Sequence, residues 1–392
     1  MVNKNKKIIS FGGWYQRTTL HLSELWDFFS SITSKLKLSK EELKKLHKNL
    51  GIKKVSRKTA YLEYIEILTN SGIKIRYYED GLYRLSIESE KIEESKLKIK
   101  EYFYKKFSPA VEYLFSLGAP TPKILANITE EHPIVIGIST MGIRSFKLDE
   151  KIYGRVYSET SSGNTRVFKT PEYIILVTSA VESTLIDLIE MQIFFREFKT
   201  QLHKYLNIHR NIWEKIDEIK EKGEIKGKDV AEFRSKLENY KKTIIIIRSR
   251  INQMNVYADT RSSIATKLRI KSDLATLFEY RFEDLFSSLK YIKEIWELTV
   301  DYVNSGIEVL GEISSQMETS GIESIRILAS IGVVTGVLGY MSEGALPIIT
   351  KGGALYLVGI GLLALSVNFI MDKMAKMKKY ELSFTEIEKI SD

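Results

Sequence analysis

The chain of 392 residues contains no cysteine. That excludes disulfide frameworks, thiolate-bound zinc, iron–sulfur clusters and thiol nucleophiles. Histidine is scarce: His21, His47, His132, His203 and His209 are too scattered for a metal site. His203 and His209, six apart, do not share a helix face. Four of the six prolines (Pro109, Pro120, Pro122 and Pro133) crowd into 25 residues and mark a boundary. No secretory signal is expected, because the apolar stretch after the basic start is short and broken by Gly12-Gly13. Ser139-Thr140-Met141-Gly142 and Ser161-Ser162-Gly163 hold nucleophile-type residues, yet no base, ligand or phosphate loop lies at a working spacing. They read as turns, and no enzyme is expected.

Charge is absent in net terms from most of the chain. Residues 87–392 hold 42 Lys+Arg and 42 Asp+Glu, whereas residues 1–86 hold 17 and 8, so the whole excess of +9 sits in the first fifth. A localised basic excess points to a polyanionic partner for that segment.

Within it, Leu22, Leu25, Phe28, Phe29 and Ile32 form one helical stripe over 20–36. Ser39 and Glu42 form a capping box for a second helix bearing Leu43, Leu46 and Leu50, which Gly51 stops. Ser56 caps a third predicted helix over 57–70, with Tyr61, Ile65 and Leu68 inward. The period then changes to two, and residues 73–79 and 82–86 read as strands around an Asp80-Gly81 turn. Three short helices followed by a hairpin resemble the winged helix-turn-helix superfamily. The resemblance implies DNA as partner. Ser56, Arg57, Lys58 and Tyr61 would approach base edges, Lys44, Lys45, Lys48, Lys53 and Lys54 phosphates, and Lys74, Arg76 and Arg84 would decorate the wing. A protein-binding use of the same fold stays open.

Residues 88–106 read as a charged connecting helix. A small β-rich region is expected at 133–179, with strands at 134–139, 166–168 and 173–178. Long helices follow over 180–220, 229–255 and 272–316, with a turn around Gly223 and Gly227 and a crossing point at 244–247. Asp187, Glu190 and Glu197 lie roughly on one helix face. Such a stripe could hold a cation, but ordinary solvent exposure explains it better.

Two apolar stretches are long enough for spans of about 30 Å: 327–341 when extended back to Ile322 with Glu323 and Arg326 at the interface, and 352–371. They predict a transmembrane hairpin, with Gly332, Gly336, Gly339, Gly359 and Gly361 as close-packing surfaces. Lys373, Lys376, Lys378 and Lys379 place both termini in the cytoplasm. Long helices running into two terminal spans with a basic tail, over 180–380, resemble the CorA family of divalent-cation channels. Where that family reads Gly-Met-Asn, this chain reads Gly339-Tyr340-Met341-Ser342. Family members also begin with an α/β domain. The resemblance implies a pentamer, Mg²⁺ as permeant ion, and Gly339, Tyr340, Met341 and Glu343 at the pore mouth.

The expected fold is therefore mainly α with a small β component. It comprises a winged helix (1–88), connecting helices (89–132), a β-rich region (133–179), a helical bundle (180–320), a transmembrane hairpin (321–380) and a tail (381–392). The expected function is a membrane-anchored DNA-binding regulator. The alternatives are a CorA-like cation channel and a membrane-tethered scaffold. Expected partners are DNA, membrane lipid and further copies of the chain. No small-molecule substrate is identified, and no cofactor is expected except Mg²⁺ under the channel alternative.

Overall fold

The computed structural model describes residues 7–15, 21–115, 133–343 and 351–382. His132, Pro120, Pro122, most of the loop before Lys351 and the last ten residues lie outside them. Contacts divide the chain into two units, one of residues 1–206 and 248–293, the other of 207–247 and 294–392.

The first unit is built on a nine-stranded sheet, in the order β2-β3-β4-β5-β1-β6-β9-β8-β7. The strands are β1 (Lys7–Trp14), β2 (Ile52–Thr59), β3 (Glu63–Thr69), β4 (Lys74–Tyr78), β5 (Leu82–Glu88), β6 (Ile134–Ser139), β7 (Ser158–Ser162), β8 (Thr165–Lys169) and β9 (Tyr173–Thr178). All neighbours are antiparallel except β6 and β9. One face packs on α1 (Leu22–Ser31), α2 (Lys40–Leu50), α3 (Ile92–Tyr102) and α4 (Ser108–Phe115), burying Phe11, Ile65, Ile67, Tyr77 and Leu85 with Phe28, Phe103 and Phe107. The other face carries α6 (Glu182–Lys220), which comes close at two glycines. A Cβ on Gly12 would stand 2.9 Å from Ile193, and one on Gly137 2.9 Å from Ile189.

This sheet overturns the winged helix. Residues 57–70 form the end of β2 and all of β3, not a recognition helix. Tyr61, Ile65 and Leu68 satisfy a helical spacing, but Ile65, Ile67 and Thr69 satisfy period two, and these last three are buried. Tyr61 and Leu68 stay exposed. The β-rich stretch is likewise no small separate component. β1 pairs with β5 on one side and β6 on the other, so both predicted regions share one sheet.

Its two edges are protected differently. On edge strand β2, Lys53, Lys54, Arg57 and Lys58 are exposed, and charge on an edge discourages pairing with another chain. Edge strand β7 is covered by α8 (Lys271–Phe278), with Thr160 Oγ1 donating to Leu277 O and Ser162 Oγ to Asp273, both at 2.8 Å. A short helix, α5 (Glu150–Tyr153), precedes that edge.

The remaining helices are long: α6 has 39 residues, α7 (Gly227–Lys267) 41, α9 (Phe282–Glu343) 62 and α10 (Lys351–Met377) 27. In the second unit the α6–α7 turn contributes β10 (Glu224–Lys226), paired with β11 (Lys379–Glu381) just after α10. Gly227 N donates to Lys378 O, and a Cβ on Gly227 would stand 2.3 Å from Ala375 O, so only glycine fits there.

The transmembrane hairpin is corrected as well. Among the described residues no helix is long and apolar enough to cross a membrane. The first proposed span is the end of the 62-residue α9, with Glu323 and Arg326 inside it. Its uncharged run, 327–341, rises only about 22 Å as a helix. The second contains Gly352, Gly353, Gly359, Gly361, Ser366 and Asn368, and its helix closes on Asp372, Lys373 and Lys376. The two-span membrane location and the orientation drawn from it fall with the hairpin.

Candidate functional site

Strand alternation puts a polar row on the sheet face that α6 covers. Cross-strand partners run Ser56–Glu66–Arg76–Arg84 from β2 to β5. Glu66 balances Arg76, but Arg76 and Arg84 stand directly opposite each other, an unfavourable pairing for like charges. Glu190 of α6 resolves it. Its Oε1 accepts from Arg84 Nε at 3.0 Å and Arg76 Nη1 at 3.4 Å, and its Oε2 accepts from Tyr78 Oη at 2.6 Å. Burial, then the Glu190 carboxylate, pushes the Tyr78 phenol well above its ordinary pKa, so it remains a donor.

A second buried pair joins the same face to α7. Arg261 Nε and Nη2 donate to the two oxygens of Asp80, at 2.6 and 2.9 Å. Asp80 sits in the β4–β5 turn and also accepts from Leu82 N at 3.1 Å. Burial works against the Arg261 charge, and Asp80 more than offsets it. The guanidinium also lies over the Tyr78 and Phe194 rings, 4.9 and 5.6 Å from their centroids.

Between these pairs lies a small cleft of about 60 Å³, lined by Ala60, Tyr61, Leu62, Tyr78, Asp187, Glu190, Met191, Arg261, Ile264 and Leu268. Glu190 and Arg261 are already committed. Asp187 is not: it forms no hydrogen bond or ion pair with any described residue. Burial first, and Glu190 second, raise its carboxyl to about 6, against the opposing pull of Arg76, Arg84 and Arg261. A carboxylate left over beside satisfied ion pairs is a seat for a cation.

Two of the three acids of the α6 stripe are thus not solvent-facing. Glu190 is 4% and Glu197 8% exposed, and Glu197 pairs with Arg196 at 3.0 Å. The spacing of these acids is visible in the sequence, but Arg76 and Arg84, the partners of Glu190, lie more than 100 residues away.

The residues assigned to DNA fall on a helix and on sheet strands, not on a recognition helix and its wing. Lys44, Lys45 and Lys48 are on α2, and Lys53, Lys54, Ser56, Arg57 and Lys58 on β2. Arg57 pairs with Glu63 and Lys58 with Glu66, both at 2.6 Å; Lys74 meets Glu66 at 3.4 Å and Lys45 Glu42 at 3.3 Å. Burial alone would raise Glu66, but Lys58, Lys74 and Arg76 together hold it down at about 2. Arg84 is only 2% exposed. Tyr61 lines the cleft instead. Only Lys44, Lys48, Lys53 and Lys54 are exposed and without an ion pair among the described residues.

Among the described residues no atom stands within 4 Å of a Cβ built on Gly336, Gly359 or Gly361, and Gly339, Tyr340, Met341 and Glu343 fall in the last turns of α9. No group of three His, Asp or Glu able to hold a metal occurs among the described residues. No family model and no curated protein matches the chain.

Proposed function

We propose that the protein is a non-catalytic regulatory module whose sheet domain binds a small organic cation, an amine or ammonium group, in the Asp187 cleft. The observation that carries this reading is the unpaired Asp187 carboxylate in a cleft otherwise made of satisfied ion pairs, aliphatic side chains and the Tyr61 and Tyr78 rings. Apolar walls with a single orienting charge suit a cation that also carries hydrocarbon. The cleft is lined jointly by the sheet, α6 and α7, so occupancy would couple the strands to the helices.

Thermal melting of the full chain with putrescine tests this reading. A ligand that binds only the native state raises the melting temperature. A rise with putrescine that vanishes in Asp187→Asn is expected. No rise, or an equal rise in Asp187→Asn, contradicts the reading.

A further inference from the structure

Helix α10 presents a row of large apolar side chains to solvent. Leu355, Val358, Leu362, Leu365 and Phe369 are 60 to 75% exposed. Their spacing alternates three and four residues, which keeps them in one narrow stripe. A repeat averaging 3.5 is the seam of a helix that packs along another helix, knobs into holes. Single exposed apolar residues are ordinary on a protein surface; a sustained stripe of them is not.

We infer that this stripe is the contact between copies of the chain, and that the protein self-associates through α10. The inference is independent of the cleft and goes beyond it. Three observations favour a second copy as the occupant. The first is area. Each side chain of the stripe leaves on the order of 100 Å² uncovered. Five such side chains from each copy would bury on the order of 1,000 Å², enough to mark a specific interface.

The second is close approach. Gly359 and Gly361 flank the stripe, and no described atom stands within 4 Å of a Cβ built on either, so a second backbone can come near without displacing a side chain. The third is presentation. The end of α10 is fixed by the β10–β11 pairing and by the Gly227 contact at Ala375, so the stripe belongs to an anchored element. A self-complementary patch shared by identical chains is the commonest basis of a closed oligomer.

The absence of cysteine makes the test direct. Leu362→Cys puts one thiol in the seam of the full chain, and Val256→Cys puts one at an equally exposed site on α7. Under mild oxidation, Leu362→Cys is expected to form disulfide-linked dimers at least about tenfold faster than Val256→Cys, because the interface raises the effective concentration of the thiols. Light scattering is expected to give the wild type a mass of two or more chains, and Leu362→Ser plus Leu365→Ser a lower one with an unchanged circular dichroism spectrum. Equal cross-linking rates overturn the inference, as does a monomeric wild type. So does recovery of the wild type as monomers bound to phosphatidylcholine vesicles, which would make lipid the occupant.

Discussion

Arg261 grips Asp80 through two hydrogen bonds, joining a strand turn to a long helix 181 residues further along the chain, and both side chains are less than 5% exposed. Removing one partner leaves an uncompensated buried charge. Asp80→Ala or Arg261→Met is expected to cost about 3 to 5 kcal/mol in denaturant unfolding. The double variant is expected to cost clearly less than the sum of the two. Additive losses would show that the pair does not act as a unit.

Asp187 works in the opposite direction. Its carboxyl titrates near 6 in the folded protein, above the ordinary 3.8, so folding favours its neutral form. The penalty for ionisation is absent below pH 3.8, grows between 3.8 and 6, and is complete above 6. Asp187→Asn is therefore expected to stabilise by about 1 to 2 kcal/mol at pH 7.5, after allowance for partial exposure. The gain should shrink as the pH falls toward 4. A gain that is flat with pH would show that this carboxyl does not titrate in that window.

Gly81 and Gly72 have similar backbone angles, φ +88 and +81, but different surroundings. A Cβ on Gly81 would stand 1.9 Å from the Tyr15 carbonyl oxygen, whereas one on Gly72 would meet nothing within 4 Å. Gly72→Ala is expected to cost about 1 kcal/mol, the strain of the left-handed backbone alone. Gly81→Ala should cost several times as much or prevent folding. Equal costs would mean that the turn relaxes away from Tyr15.

Among the twelve residues assigned to DNA, the four free lysines set a ceiling on electrostatic binding. Four phosphate contacts give a slope of log K against log salt no steeper than about −4. Anisotropy of the full chain with duplex DNA is expected to show weak binding, no steeper than this and indifferent to sequence. A steep slope with sequence preference would restore a nucleic-acid interface.

Much of the fold is legible in local pattern. Ser39 accepts from Glu42 N at the start of α2, and Gly51 ends that helix with φ +58. The β4–β5 hairpin turns at Asp80-Gly81, and the long helices begin near Ala180. The third helix of the supposed winged helix fails because a run of nine residues, 61–69, supports two periods at once. What decides between them is the pairing of β3 with β2 and β4, which no local pattern shows. The site fails for a related reason. Asp187, Glu190 and Glu197 stand out by spacing, but only the sheet reveals that Arg76 and Arg84 bury Glu190 and leave Asp187 over.

Calorimetric titration of the full chain with putrescine at pH 7.5 and pH 5 tests the central claim most directly. Binding through the Asp187 carboxylate predicts measurable heat at pH 7.5, affinity about tenfold weaker at pH 5 as that carboxyl takes up a proton, and no heat in Asp187→Asn. Equal binding by the wild type and Asp187→Asn, or none by the wild type at pH 7.5, would contradict it.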